Sequence, residues 1–112
     1  MANRGEGVYR TTFTDGKPQF EIHYAEGKLN GVMRRWAQNG NLILECTYVD
    51  DVREGRSKRW HDNGILAEDA FYIDDQLNGH YMQFDKNGVQ TMSCKFVDGE
   101  IVEDSVKPGD GK

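Results

Sequence analysis

Few side chains in this sequence could do chemistry: Cys46 and Cys94, three histidines, the acidic pairs Asp50-Asp51 and Asp74-Asp75, and a basic group. Two thiols could form a disulfide, act as nucleophiles or hold a soft metal. His23, His61 and His80 have no cysteine or carboxylate at ligand spacing and no nucleophile to serve as general base, so they read as surface or sheet-face residues. The acidic pairs offer too few oxygens for calcium and lack the spacing of a calcium loop, which leaves turn chemistry. Gly109-Asp110-Gly111-Lys112 ends like a phosphate loop, but no Ser or Thr follows, and it reads as a tail. No catalytic, cofactor-binding or metal-binding residue is assigned, and the chain is not expected to be an enzyme. The basic group, Arg34, Arg35, Arg56, Lys58 and Arg59, is the one cluster that could form a stripe.

These residues sit in a repeat. Gly31, Gly55 and Gly79 lie 24 apart, as do Gly16, Gly40, Gly64 and Gly88. Asn-Gly recurs at Asn39-Gly40, Asn63-Gly64 and Asn87-Gly88, with Asp15-Gly16 as the first member. Trp36, Trp60 and Phe84 precede these pairs; Tyr24, Tyr48, Tyr72 and Phe96 follow them; then come Glu26, Asp50, Asp74 and Asp98. Self-similarity at one period marks a repeat architecture. The units are 7–30, 31–54, 55–78 and 79–102, the first degenerate because Thr12 stands in the Trp column. Residues 1–6 and 103–112 read as flexible termini.

Asn-Gly between alternating segments signals a β-hairpin, because both residues tolerate positive φ. A three-residue loop, Gln38-Asn39-Gly40, pairs Trp36 with Leu42 and Arg34 with Leu44, burying the tryptophan beside the row Leu42, Leu44, Cys46 and Tyr48. A two-residue turn at Asp50-Asp51 then requires one extra residue, and Gly55 is placed to absorb it. In such a sheet Cys46 and Cys94 share a column with Ile22 and Ala70, four strands and roughly 19 Å apart. That is too far for a disulfide, so both are expected as reduced core residues.

Lys28-Leu29-Asn30-Gly31 followed by Trp36, Asn39-Gly40 and Tyr48, and echoed by Gln76-Leu77-Asn78-Gly79, resembles the bacterial MORN-variant repeat typical of YwqK-family antitoxins. The resemblance covers about residues 7 to 102. It implies an all-β fold: an elongated, single, twisted antiparallel sheet of tandem β-hairpin repeats.

Formal net charge is −5, and units 7–30, 31–54, 55–78 and 79–102 carry 0, −1, −2 and −1, so nucleic-acid binding is not expected. No apolar run reaches the roughly 18 residues of a membrane helix, and Met1–Gly7 has no apolar stretch, which leads to a cytoplasmic expectation. Within the basic group, Arg34 and Lys58 share a column, as do Arg35 and Arg59; they form ion pairs with Glu45, Glu68 and Asp69 or bind an acidic partner. Residues that recur hold the scaffold, whereas those that vary on an exposed face are free to specialise. Met33, Arg35, Ile43, Arg59, His61, Phe71 and Tyr81 vary in this way, on the face expected to lie opposite the aliphatic row, and are the candidate partner-binding residues. The expectation is a protein-binding module or scaffold, an antitoxin or immunity protein masking a toxin or effector, with self-association possible in a one-layer sheet. The alternative is a lipid-headgroup-binding membrane scaffold, which the acidic charge disfavours.

Overall fold

The computed structural model describes residues 6–109, which contain strands and turns and no helix. Each unit contributes the same three strands. The first gives β1 (Gly7–Thr12), β2 (Pro18–Ala25) and β3 (Lys28–Leu29); the second gives β4 (Gly31–Trp36), β5 (Leu42–Val49) and β6 (Val52–Arg53). The third gives β7 (Gly55–Trp60), β8 (Leu66–Ile73) and β9 (Gln76–Leu77), and the fourth β10 (Gly79–Phe84), β11 (Gln90–Val97) and β12 (Glu100–Pro108). The degenerate first unit therefore folds like the others. All strands join one open antiparallel sheet in the order β1-β2-β4-β5-β7-β8-β10-β11-β12, with the two-residue strands pairing to β2, β5 and β8. The expected fold is the observed one. With extents of 53 × 33 × 11 Å the sheet is one layer thick.

The Asn-Gly loop has the expected three residues. Ala37 N–H donates to Asn41 O at 2.8 Å and Gly40 N–H to Ala37 O at 2.9 Å, which frames Gln38-Asn39-Gly40. Gly40 has φ 93°, a conformation that a Cβ would strain. Trp36 faces Leu42 as expected, but Arg34 does not face Leu44. Ile43 is an extra, unpaired residue, so Arg35 pairs with Leu44 and Arg34 with Glu45. The same shift recurs in each unit, at Thr11/Thr12, Arg59/Trp60 and Gln83/Phe84. A bulge beside each turn adds local twist, and reading at period two cannot register it.

The second connection is the expected two-residue turn. Asp50 and Asp51 have φ 50° and 70°, with Val49 paired to Val52 and Tyr48 to Arg53. The pairing then jumps to Glu45 with Lys58, which leaves two extra residues on the far strand where one was expected. An even number leaves parity unchanged. The glycine column sits at this break, and at Gly31 (φ 107°) a Cβ would lie 3.1 Å from His23 Cβ.

These registers define two faces. One, the tyrosine face, carries Tyr24, Tyr48, Tyr72 and Phe96 with Cys46, Ala70 and Cys94. The other, the charged face, carries Glu21, Arg34, Glu45, Lys58 and Asp69. Alternation along β4 and β7 puts Trp36 and Trp60 with the charged face, which corrects their expected burial beside the Cys-Tyr row. Among the described residues no large side chain is fully buried, and the buried apolar ones are Cys46, Ala67, Ala70 and Cys94, each at most 4% exposed.

The boundaries at the termini also change. Residues 103–108, expected as flexible tail, belong to β12, where Lys107 pairs with Ser93 and Pro108 with Met92. Residues 1–5 and 110–112 lie outside the described residues, so the expected flexibility of the first segment and of the Gly-Lys end falls there.

Candidate functional site

The seven candidate residues do not share a face. Met33 pairs with Cys46, Arg35 with Leu44, Arg59 with Glu68 and Tyr81 with Cys94, so these four lie on the tyrosine face itself. Phe71, opposite Arg56, lies on the charged face. Ile43 is the bulged residue of β5. His61 stands in the loop after β7, where its Nε2–H donates to Phe84 O at 2.9 Å and straps two neighbouring loops together. The bulges cause this scatter, because each one reverses the parity on which the set was chosen.

The basic group divides the same way. Arg34, Glu45, Lys58 and Asp69 follow one another across the charged face, led by Arg10 and Glu21 on β1 and β2. Arg10 reaches Glu21 at 3.1 Å, Arg34 reaches Glu21 at 2.9 Å and Glu45 at 2.8 Å, and Arg56 reaches Asp69 at 3.0 Å. Burial works to raise the Glu21 carboxyl, but hydrogen bonds from Arg10, His23 and Arg34 prevail and hold it below the usual range. The Glu45 hydrogen bond raises Arg34 further. Signs alternate along this row: Arg34 pairs with Glu45 and Arg56 with Asp69, as expected, while Lys58 stands between Glu45 and Asp69 in the register without an ion pair.

On the tyrosine face the cations are freer. Arg35 is exposed and stacks over Phe20 at 5.6 Å, with no carboxylate within ion-pair distance among the described residues. Arg59 has Glu68 at 3.7 Å. Leu44 lies between Arg35 and Arg59 in the register, so an apolar residue is flanked by two arginines. Beside them Tyr81 donates its hydroxyl to Glu68 and receives a hydrogen bond from Gln83 at 2.8 Å. Burial and the Glu68 bond push the Tyr81 phenol up to about 12. Tyr81 packs edge-on against Phe96 and Tyr9 against Tyr24, and Arg53 sits 4.2 Å over Tyr72. The arrangement is a half-exposed aromatic row with cations on its flank, suited to holding a partner surface.

The acidic turns have structural partners. Leu29 N–H donates to Asp51 Oδ1 at 2.7 Å while Asp51 N–H donates to Leu29 O, and Asp75 repeats the pattern on Arg53. Among the described residues no cluster of three potential metal ligands occurs. Both cysteines are free, buried and four strands apart in the order β5-β7-β8-β10-β11, as expected.

Sequence reasoning overlooked the exposed aliphatic column Val49, Ile73 and Val97. Its 24-residue spacing was available as a signal, but a column beside a turn gives no sign of which face it occupies. Among the described residues no helix is long and apolar enough to cross a membrane.

Residues 29–50 and 53–74 match the family model of the MORN repeat variant. The same strand and turn geometry extends to the units on either side of the matched ones. The chain is thus a tandem β-hairpin repeat protein whose two central repeats are similar to the MORN repeat variant, an architecture in keeping with a binding or scaffold role. No curated protein matches it.

Proposed function

We propose that the chain is a protein-binding repeat module that works by association, without a catalytic step, and docks its partner on the tyrosine face. The observation that carries the reading is the open aromatic row: a one-layer sheet leaves it half-exposed, with no large side chain fully buried among the described residues. Arg, Tyr and Met are enriched in interfaces, and Arg35, Arg59, Tyr81 and Met33 all stand on this face. The finer reading is that the partner is a toxin or effector masked in the cytoplasm.

The test is affinity capture with the parent chain and with Arg35→Ala plus Arg59→Ala. Both arginines are exposed, so the pair should cost at most about 0–1 kcal/mol each in stability. A partner bound by the parent should be lost from the variant. Retention on a well-folded variant would remove the tyrosine face from the proposal. Co-expression tests the finer reading: the partner alone should arrest growth and the chain should restore it. Co-sedimentation with phosphatidylserine vesicles, absent any protein partner, would instead favour a lipid-binding scaffold.

A further inference from the structure

We propose that the charged face of β8, β10, β11 and β12 binds a protein segment in which an apolar side chain stands next to carboxylates. This rests on the reading of the chain as a protein-binding module, and adds a second surface with a partner of defined chemistry.

The fourth unit, with β12, breaks the pattern of the first three on this face. Earlier cations lie beside carboxylates, as in Arg10–Glu21, Arg34–Glu45 and Arg56–Asp69. In the fourth unit two basic residues, His80 and Lys95, are paired directly across β10 and β11, and Lys107 stands opposite Ser93. Among the described residues none of these three has a carboxylate within 4.0 Å. Exposed apolar side chains adjoin them: Phe71 is 42% exposed, Ile73 50% and Val97 57%.

Two cavities shape the patch. Phe71, Met82, Ala70, His80 and the Arg56–Asp69 ion pair line one of about 490 Å³. It lies where the pairing of β8 with β10, Met82 with Asp69, gives way to that of β8 with β9, Tyr72 with Leu77. His80, Lys95, Lys107, Ser93 and Ser105 line a second of about 280 Å³. It arises because β12 bulges: Lys107 pairs with Ser93 and Val102 with Lys95, so residues 103–106 stand opposite Cys94 alone. The Ser105 hydroxyl accepts the Lys95 N–H at 2.8 Å and holds the bulge in place. His80 belongs to both cavities, so an apolar pocket and a basic one are contiguous.

An exposed aromatic beside exposed, unpaired lysines suits an apolar anchor flanked by carboxylates, and unpaired positive charge selects a negative partner. Since the whole chain carries −5, attraction to an acidic segment depends on local patches of unpaired positive charge such as this one. Asp104, which also lines the basic cavity, opposes it.

The test uses the full chain and a short Glu-rich synthetic peptide with one central Phe, titrated by NMR. Amide shifts should saturate and map to Phe71, His80, Lys95 and Lys107. Lys95→Glu with Lys107→Glu should weaken binding about tenfold or more, and Phe71→Ser by a similar factor, with salt weakening it in the parent. Asp104→Asn should tighten it, and Lys28→Ala, remote from the patch, should leave it unchanged. All these positions are exposed, and an unchanged circular-dichroism spectrum checks that each variant folds. The proposal is overturned if a Lys-rich peptide binds equally well, if the shifts map to the tyrosine face, or if no shift saturates. Phosphatidylserine vesicles that bind with the same variant sensitivity, while the peptide does not, would overturn it in favour of a lipid surface. A partner captured through Arg35 and Arg59 with no peptide binding would preserve the module and remove only this second site.

Discussion

Tyr81 shows how a single residue responds to a half-open sheet. Its phenol is pushed up to about 12 because burial disfavours the phenolate and Glu68 accepts its proton in a hydrogen bond. The folded pKa lies above the unfolded value of about 10, so the folded state holds this proton longer. The resulting stabilisation is complete below about pH 10 and is lost as pH rises through about 12. A tyrosinate absorbance titration should show a late component from Tyr81 and from Tyr48, whose phenol burial also raises, and Glu68→Gln should bring the Tyr81 part down. If Tyr81→Phe leaves the late component undiminished, Tyr81 is not part of it. The cysteines make a second case: burial raises both thiols, so each reacts slowly in the native chain. Two thiols per chain should react with a thiol reagent after unfolding without reductant, and fewer would contradict the strand order.

At the scale of the element, the Asn-Gly column serves two purposes. Asn63 Oδ1 accepts the Ile65 N–H at 2.9 Å, which closes its own turn, while its Nδ2 donates to Lys86 O at 2.9 Å in the next loop. Asn39 does the same with Asn41 N–H and with Asp62 O. The recurrent asparagine thus staples one hairpin to the next. Asn63→Ala loses both bonds and should cost about 1–3 kcal/mol; Asn63→Asp keeps the acceptor, loses the donor and should cost less, about 0.5–1.5 kcal/mol. Denaturant melts distinguish the two: equal losses would mean that the turn-closing bond to Ile65 contributes nothing, and no loss in Asn63→Asp would mean that the inter-loop bond contributes nothing. The opposite edge is stapled by the acidic turns: Asp51, Asp75 and Gly99 each donate an N–H to a carbonyl 22 residues earlier.

At the scale of the molecule, contacts run between neighbouring strands, and none of the described residues folds back over either face. The radius of gyration is 16.2 Å, against about 13 Å for a compact domain of this length. Small-angle scattering should give the larger value for the monomer, and circular dichroism should show strand and turn with little helix; a compact scattering curve would mean that the sheet closes on itself. Quasi-one-dimensional packing of this kind approximates stability as a sum over units and their interfaces. It also leaves both faces open, and for that reason the molecule has room for two binding surfaces of different chemistry.

Glycine, asparagine, tyrosine and acidic residues at a constant spacing were enough to determine the repeat, the hairpins, the three-residue Asn-Gly loop and the two-residue acidic turn. Each depends on local backbone preference, which a residue carries with it wherever it sits. The separation of Cys46 from Cys94 followed as well, because it depends only on counting strands. The faces did not follow. Ile43 and its counterparts add one residue beside each Asn-Gly turn, and Glu54-Gly55 adds two where β7 meets β5. One unpaired residue exchanges the sides of everything beyond it, so Met33 and Arg35 joined the tyrosine row and Trp60 left it. Residues 103–108 became a strand because β11 offered an open edge, and only the folded sheet brings His80, Lys95 and Lys107 together from three strands. The tertiary structure decided these features because they depend on register, and register is set by the pairing of strands.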